Sequence, residues 1–284
     1  MNQANTVSVF RVLGNPIAHS KSPEIHRSFA SATGKHIEYI AQQVDDINFE
    51  AVVADFFAHG GKGLNITVPF KQRAHDMAIH VRPAARRAGA ANTLWQEQGQ
   101  LVADNTDGIG LLRDIRQNLN GILQGSRILV LGAGGAVRGI LQPLLEQQPQ
   151  QLVLANRTHQ KAQKLAQDFS ELGPVSACEV NRLKAPFDWI INATAASLTG
   201  DLLDLPSGLI NYKARCYDMM YGDKAMNFRR WALTQGASTV NDGLGMLVEQ
   251  AAAAFYLWHN IYPDTAKVLM DLQLQFGCSS KHLN

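Results

Sequence analysis

The stretch Arg127-Ile-Leu-Val-Leu-Gly-Ala-Gly-Gly-Ala-Val-Arg-Gly139 decides the fold. Its first half, Arg127 to Leu131, is a continuous apolar run, the pattern of a strand buried on both faces of a parallel sheet. Its second half is rich in glycine and opens a helix. Glycine lets the backbone turn sharply at a strand end and approach a bound group closely. The helix start then presents unpaired N–H groups and a positive dipole end, a setting for a pyrophosphate. The loop is not a strict G-x-G-x-x-G, and its plain alternative is a tight strand-to-helix turn. Context favours the dinucleotide reading. A strand precedes, a helix follows, and a second apolar strand, Gln151 to Ala155, comes at the expected distance. Gly132, Ala133, Gly134, Gly135 and Ala136 are the candidate pyrophosphate contacts.

Further apolar runs at Asp188 to Ile191 and Cys216 to Met219, with helical stretches between some of them, predict a doubly wound parallel sheet. Upstream, Ile109, Leu112, Ile115 and Leu119 are expected on one helical face. The end of the second strand chooses the cofactor. A site for NAD usually carries Asp or Glu there, to accept from the ribose 2′-OH. Here the strand ends Ala155-Asn156-Arg157-Thr158, with Lys161 beyond. A guanidinium, a hydroxyl and an ammonium suit a 2′-phosphate instead, so the expected cofactor is NADP(H). The alternative for Arg157 and Lys161 is solvated charge. Positive charge in the first turn of a helix is mildly unfavourable, which points toward an anionic partner. Asn192-Ala193-Thr194 stands past a strand, where ligands bind in open α/β sheets. Asn192 and Thr194 suit the nicotinamide side or ordinary strand-end turn chemistry equally well.

Residues 1–107 mix short strands and helices. Phe10 to Leu13 reads as a strand ending in the turn Gly14-Asn15-Pro16. Ser22 before Pro23 predicts a helix with Ser22 as N-cap and Pro23 first, with Ile25 and Phe29 on one face and Gly34 closing it. Leu64 to Val68 reads as a strand with Asn65 and Thr67 on one face, and Pro69 as the start of the helix that carries Lys71. Ala91 to Trp95 and Gln100 to Ala103 are expected to pair through Gly99. A long apolar helix is expected from Met246 to about His259, and a last amphipathic helix from around Thr265 to Phe276, ending at Gly277. The expected fold is α/β with two domains. One is an N-terminal α/β substrate domain, residues 1–107, with the helices of 246–284 folding back on it. The other is a Rossmann-type domain, residues 108–245.

The totals exclude several classes. The 284-residue chain has a formal net charge of +2, 46% hydrophobic and 18% charged residues. That is an ordinary globular balance, without a nucleic-acid tail or a polybasic anchor. The longest apolar run, Ala251 to Trp258, is too short for a membrane span. Met1 to Ser8 does not read as a signal peptide. Cys178, Cys216 and Cys278 are far apart, with neither metal spacing nor a disulfide framework, which fits the cytoplasm.

Three polar clusters at element ends suggest chemistry. Ser20 and Ser22 at a helix start can cradle a carboxylate, or Ser22 can simply cap. Asn65, Thr67 and Lys71 form the second. Asn92 and Thr93 with Asp104 to Gly108 form the third, in which Asp107 can cap the next helix. A hydroxy-acid dehydrogenase must hold a carboxylate, bond hydroxyls and move one proton while a hydride crosses. A Lys ammonium stabilises charge developing on a ketone oxygen and can donate the proton, and a neighbouring Asp would orient it.

The chain resembles the shikimate dehydrogenase family over nearly its whole length. The matching stretches are Gly14-Asn-Pro-Ile-Ala-His-Ser-Lys-Ser-Pro23, Asn65-Ile-Thr-Val-Pro-Phe-Lys71, Gly89-Ala-Ala-Asn-Thr93, Asn105-Thr-Asp-Gly108, the Gly132 loop, Asn156-Arg-Thr158, Tyr217-Asp-Met-Met-Tyr221 and Asp242-Gly-Leu-Gly-Met246. The resemblance implies a substrate domain and an NADP-binding domain with a cleft between them, reducing 3-dehydroshikimate to shikimate. It implies that Ser20 and Ser22 hold the carboxylate, with Tyr221 near it. Thr67, Asn92, Asp107 and Gln250 would bond ring hydroxyls, and Lys71 and Asp107 would be the catalytic pair. Met219, Gly243 and Met246 would border the nicotinamide. At Ala195-Ala196-Ser197 the family has Ser, a small residue and Gly, and at Ala225-Met226-Asn227 it often has Thr before an apolar helix; no role is carried to either stretch. The expected partner is a small-molecule substrate, with no metal, nucleic acid or membrane, and the chain is expected as monomer or homodimer. Two alternatives stand beside this reading: a quinate/shikimate dehydrogenase using NAD, and a regulator that binds NADP without catalysis.

Overall fold

The computed structural model describes residues 7–184, 186–194 and 203–279, with 277–279 described by backbone alone. Met1–Thr6, the stretch Ala195-Ala196-Ser197 and the side chain of Cys278 lie outside the described residues. The chain divides into two compact units: Met1–Gly110 with Val248–Cys278, and Leu111–Leu247 with Ser279–Asn284.

The first unit is built on a six-stranded sheet of β1 (Ser8–Gly14), β2 (Ile37–Gln43), β3 (Gly63–Ile66), β4 (His80–Val81), β5 (Thr93–Glu97) and β6 (Gln100–Asp104), in the order β2-β1-β3-β5-β6-β4. β1 pairs in parallel with β2 and β3, whereas β5 pairs antiparallel with β3 and β6. Alternation along β1 sends its side chains to two cores. Leu13 joins Leu64, Ile66 and the apolar face of α2 (Phe49–Ala58), whose Phe49, Val53, Phe56 and Phe57 are buried. Phe10 and Val12 pack on the other face with Tyr39 and Trp258. Trp258 belongs to α9 (Leu244–His259), which is followed by α10 (Ala266–Ser279). Gly63 leaves room for the Trp258 indole, since a Cβ there would stand 2.5 Å from it.

Local boundaries differ from expectation in instructive ways. Helix α1 spans Ser22–Thr33, so Ser22 is its first residue and Lys21 holds the cap position. The cause is that the Lys21 carbonyl already accepts the Ile25 N–H, while Ser20 Oγ accepts the Ser22 N–H at 3.3 Å. Strand β3 ends at Ile66 rather than Val68. The Phe70 N–H turns back to the Thr67 carbonyl, and α3 (Lys71–Asp76) opens at Lys71 rather than Pro69. α10 runs on through Gly277 to Ser279, because Gly277 keeps helical geometry instead of capping. After α4 (Pro83–Ala88), helix α5 (Asp107–Arg113) and the turn after it bury Leu111 and Ile115, but Ile109 is 46% exposed. The buried face includes Gly110, which packs on Gln250. A close approach through glycine leaves no apolar mark in the sequence.

The second unit carries β7 (Arg127–Leu131), β8 (Gln151–Ala155), β9 (Val175–Cys178), β10 (Phe187–Asn192), β11 (Ile210–Asp218) and β12 (Thr239–Asn241), all parallel, in the order β12-β11-β10-β7-β8-β9. The order reverses at β7, which is the Rossmann arrangement with its switch point beside the glycine loop. Ile128, Val130, Leu152 and Leu154 meet Val137, Ile140 and Leu144 of α6 (Gly135–Glu146) on one face. Leu129, Leu131 and Val153 meet Phe228 and Ala232 of α8 (Met226–Thr234) on the other. Between these, α7 spans His159–Phe169. Among the described residues no helix is long and apolar enough to cross a membrane.

One core group ties stability to pH. His26 of α1 is fully buried and stacks on Tyr39, ring centroids 4.2 Å apart. Neither ring nitrogen has a hydrogen-bond partner among the described residues. Burial, then His259, pushes its pKa down to about 3, against a weaker opposing effect of Asn65. The imidazole is therefore neutral in the folded chain, while an unfolded His titrates near about 6.5. Its stabilising neutrality is fully present above that value and is lost as pH falls toward 3. His259, lowered to about 4 by burial and then Lys35, acts in the same direction. Urea unfolding at pH 7 and pH 5 should show a smaller loss of stability on acidification in His26→Leu than in the parent chain. Equal losses would contradict the assignment.

Candidate active site

The polar clusters of the first unit converge on two side chains. Lys71 opens α3 and Asp107 opens α5. Lys71 Nζ donates to Asp107 Oδ2 at 2.5 Å, with the two side chains 25% and 9% exposed. The pair is thus reachable from solvent on the lysine side and enclosed on the aspartate side. Asp107 does not cap its own helix. Its N–H is taken by Asn105 Oδ1 at 3.0 Å, and Asn105 Nδ2 donates to the Ala90 carbonyl. Asn105 performs the capping, which leaves the Asp107 carboxylate to its other partners.

The second carboxylate oxygen accepts from Asn92 Nδ2 at 2.9 Å. The same amide nitrogen lies 3.0 Å from Thr106 Oγ1 and 3.3 Å from Gln250 Oε1. Asn92 Oδ1 accepts from the Thr106 N–H at 2.8 Å and from Thr93 Oγ1 at 2.9 Å. A buried amide bonded on both ends has one orientation. Lys71, Asp107, Asn92 and Gln250 are therefore brought together. Ser20 and Ser22 stand at the start of α1. Thr67 lies half-buried in the turn before α3, where a Cβ on Gly14 would strike its methyl group. Tyr221 belongs to the other unit, where burial and then Asp242 push its pKa up.

In the second unit the glycine loop has the shape a pyrophosphate needs. Gly132 has φ +115°, and a Cβ there would stand 3.0 Å from the Ala193 carbonyl. Gly134 is extended at the start of α6, and the Cβ directions of Gly134 and Gly135 both open onto free space. The first turn of α6, with Ala136, opens there, and the N–H groups of a helix start have no partners within the helix. Ala133 lies half-buried within the same loop. At the end of β8, Asn156 Nδ2 donates to the Thr158 carbonyl at 2.9 Å and holds the turn. Arg157, Thr158 and Lys161 are exposed there. Two neighbouring cations and a hydroxyl beside the loop fit a phosphate on the ribose.

Strand ends β10 and β11 carry a buried polar set. Thr194 Oγ1 donates to Asn192 Oδ1 at 2.8 Å, and Asn192 Nδ2 donates to Asp218 Oδ2 at 3.0 Å. Asp218 also accepts the Met220 N–H. Gly243 packs on the Met219 carbonyl so closely that any Cβ would strike it, and Met246 is buried at the start of α9. Sequence reasoning missed Asp114, a buried carboxylate that accepts from the Tyr217 hydroxyl at 2.6 Å and from Asn118 Nδ2. Gly245 is glycine because a Cβ would strike that carboxylate. Burial first, then Asp114, pushes the Tyr217 phenol well above its ordinary range.

Three family models match the chain. They are described as shikimate dehydrogenase substrate binding domain (residues 12–94), shikimate / quinate 5-dehydrogenase (114–199) and shikimate 5′-dehydrogenase C-terminal domain (243–273). The NADP(+) shikimate dehydrogenase of Cellvibrio japonicus is 54% identical over 269 residues, covering 94% of this chain and 97% of its own. Among solved structures, the Ael1 enzyme from Pseudomonas putida is similar with TM-score 0.90 and 45% identity, covering 93% of this chain and 98% of its own. Shikimate 5-dehydrogenase from Thermus thermophilus, in complex with NADP(H) and shikimate, is similar with TM-score 0.82 and 30% identity, covering 93% and 98%.

Proposed function

The chain belongs to the shikimate dehydrogenase family, and from that premise we propose that it reduces 3-dehydroshikimate to shikimate with NADPH, reversibly, on the route to chorismate and the aromatic amino acids. The observation that carries the reading is the Lys71–Asp107 contact at 2.5 Å, set beside Asn92 and Gln250.

Reduction of a ketone needs a hydride at carbon and a proton at oxygen. NADPH, when bound, supplies the hydride. The Lys71 ammonium stabilises negative charge developing on the oxygen and donates the proton, and neutral Lys71 takes it back in the reverse direction. Asp107 orients Lys71, and Asn92 orients Asp107 through its second oxygen. Ser20 and Ser22 donate hydroxyl hydrogens to the substrate carboxylate, with Tyr221 as a further donor. Thr67, Asn92, Asp107 and Gln250 bond the ring hydroxyls, which fixes the ring face presented for reduction. On this reading residues 1–107 and 246–284 form the substrate domain and residues 108–245 the NADP(H) domain, with Tyr221 of the second serving the substrate and Met246 of the first serving the cofactor.

Within the second part, the backbone of Gly132, Ala133, Gly134, Gly135 and Ala136 takes the pyrophosphate. Asn156, Arg157, Thr158 and Lys161 take the 2′-phosphate. Thr194, Met219, Gly243 and Met246 border the nicotinamide. The reaction belongs in the cytoplasm, where NADPH is kept reduced. Initial rates with shikimate and then quinate, each with NADP+ and then NAD+, test the specificity. Fast turnover with shikimate and NADP+ and little with the other pairs is expected. Comparable rates with quinate and NAD+ would place the chain in a broader-specificity branch. No turnover with any pair, in protein that binds NADP+, would favour the regulator.

A further inference from the structure

The polar network around Lys71 extends well beyond Asp107. Tyr39 sits on β2, separated from β3 by β1 in the sheet order. Its ring is buried and stacks on His26. Its hydroxyl reaches past β1 and donates to Asn65 Oδ1 on β3 at 2.7 Å. Asn65 Nδ2 in turn donates to the Asn92 carbonyl at 3.1 Å and lies 3.3 Å from Thr93 Oγ1. Thr93 Oγ1 donates to Asn92 Oδ1 at 2.9 Å, and Asn92 Nδ2 donates to Asp107 Oδ1 at 2.9 Å. Each donor points the same way along the chain, toward the carboxylate that holds Lys71. Bonds aligned in this sense polarise one another.

The other end of the chain is as informative. It begins at the Tyr39 phenol, inside the aromatic cluster of His26 and Trp258. Tyr39, Asn65, Thr93, Asn92 and Asp107 are all buried. A phenylalanine at position 39 would fill the same volume and make the same stack. The hydroxyl adds only its bond to Asn65, and without it its burial would cost stability. Burial also holds the phenol well above its ordinary range, so it remains a donor wherever the chain is folded.

We infer that Tyr39 is a positioning residue. Its hydroxyl holds Asn65, and through Thr93 and Asn92 the carboxylate of Asp107, so that the Lys71–Asp107 pair of the proposed substrate site keeps a single fixed geometry. The inference rests on the proposed function and adds a group that touches neither substrate nor cofactor.

The test is kinetics of Tyr39→Phe, Asn65→Ala and the double variant with shikimate and NADP+. Tyr39→Phe should lower kcat about tenfold and raise the shikimate KM, with the NADP+ KM unchanged within about twofold. The double variant should be no worse than Asn65→Ala alone, because both changes cut one chain. Wild-type kcat and KM in folded Tyr39→Phe would overturn the inference, as would fully additive losses in the double variant. Should Tyr39→Phe not fold, Thr93→Val cuts the same chain away from the aromatic cluster, with the same readouts and the same deciding outcomes. A parent chain that does not turn over shikimate would refute the proposed function. A parent that does, alongside an unaffected Tyr39→Phe, would refute only the role of Tyr39.

Discussion

Lys71→Ala is expected to lower kcat for shikimate oxidation by about 100- to 10,000-fold, the range lost with a positioned general acid or base. The shikimate KM should change far less. The reasoning starts from position: Lys71 opens a helix, is part-exposed, and is held through a 2.5 Å contact to an enclosed carboxylate. Removing it leaves Asp107 to accept from Asn92 but takes away the proposed proton donor at the ketone oxygen. A raised KM with normal kcat would make Lys71 a binding residue only. Circular dichroism and thermal unfolding should find the variant folded, since the site lies at element ends rather than in either apolar core.

Arg157→Ala is expected to reduce kcat/KM for NADP+ by about 10- to 100-fold, the size of one or two charge-assisted bonds to a phosphate. The kcat/KM for NAD+, expected to be low, should hold within about twofold, because NAD+ has no 2′-phosphate to lose. Arg157 is exposed at the end of β8, past a turn held by Asn156 and Thr158. The substitution therefore removes charge without disturbing packing. Equal loss for both cofactors would contradict the 2′-phosphate assignment and point to a structural role for the turn.

The Rossmann half is legible in the sequence because its central strands are buried on both faces. Ile128 to Leu131 and Leu152 to Ala155 leave uninterrupted apolar runs, and the glycine loop follows the first of them directly. The outer strands β9 and β12 are short and partly exposed, so Val175–Cys178 and Thr239–Asn241 carry no comparable run. The face of α5 escapes periodicity because Gly110 makes its closest approach. Lys71, Asp107, Asn92 and Gln250 could be named as candidates from motifs. Their connection could not, since Asn92 meets Gln250 from a position 158 residues away. Asn105, Thr93, Asn65 and Tyr39 acquire their roles only from strand order, and Ser22 proves to be the first residue of its helix and not its cap. Polar side chains at strand ends look alike in a sequence until the sheet decides which of them face one another.

The most direct test of the central claim is to mix the purified chain with 3-dehydroshikimate and NADPH, follow the loss of NADPH absorbance, and identify the product. The account predicts one shikimate formed per NADPH consumed, at a rate that Lys71→Ala abolishes almost entirely. NADPH bound but not consumed, or consumption unaffected by Lys71→Ala, would contradict it.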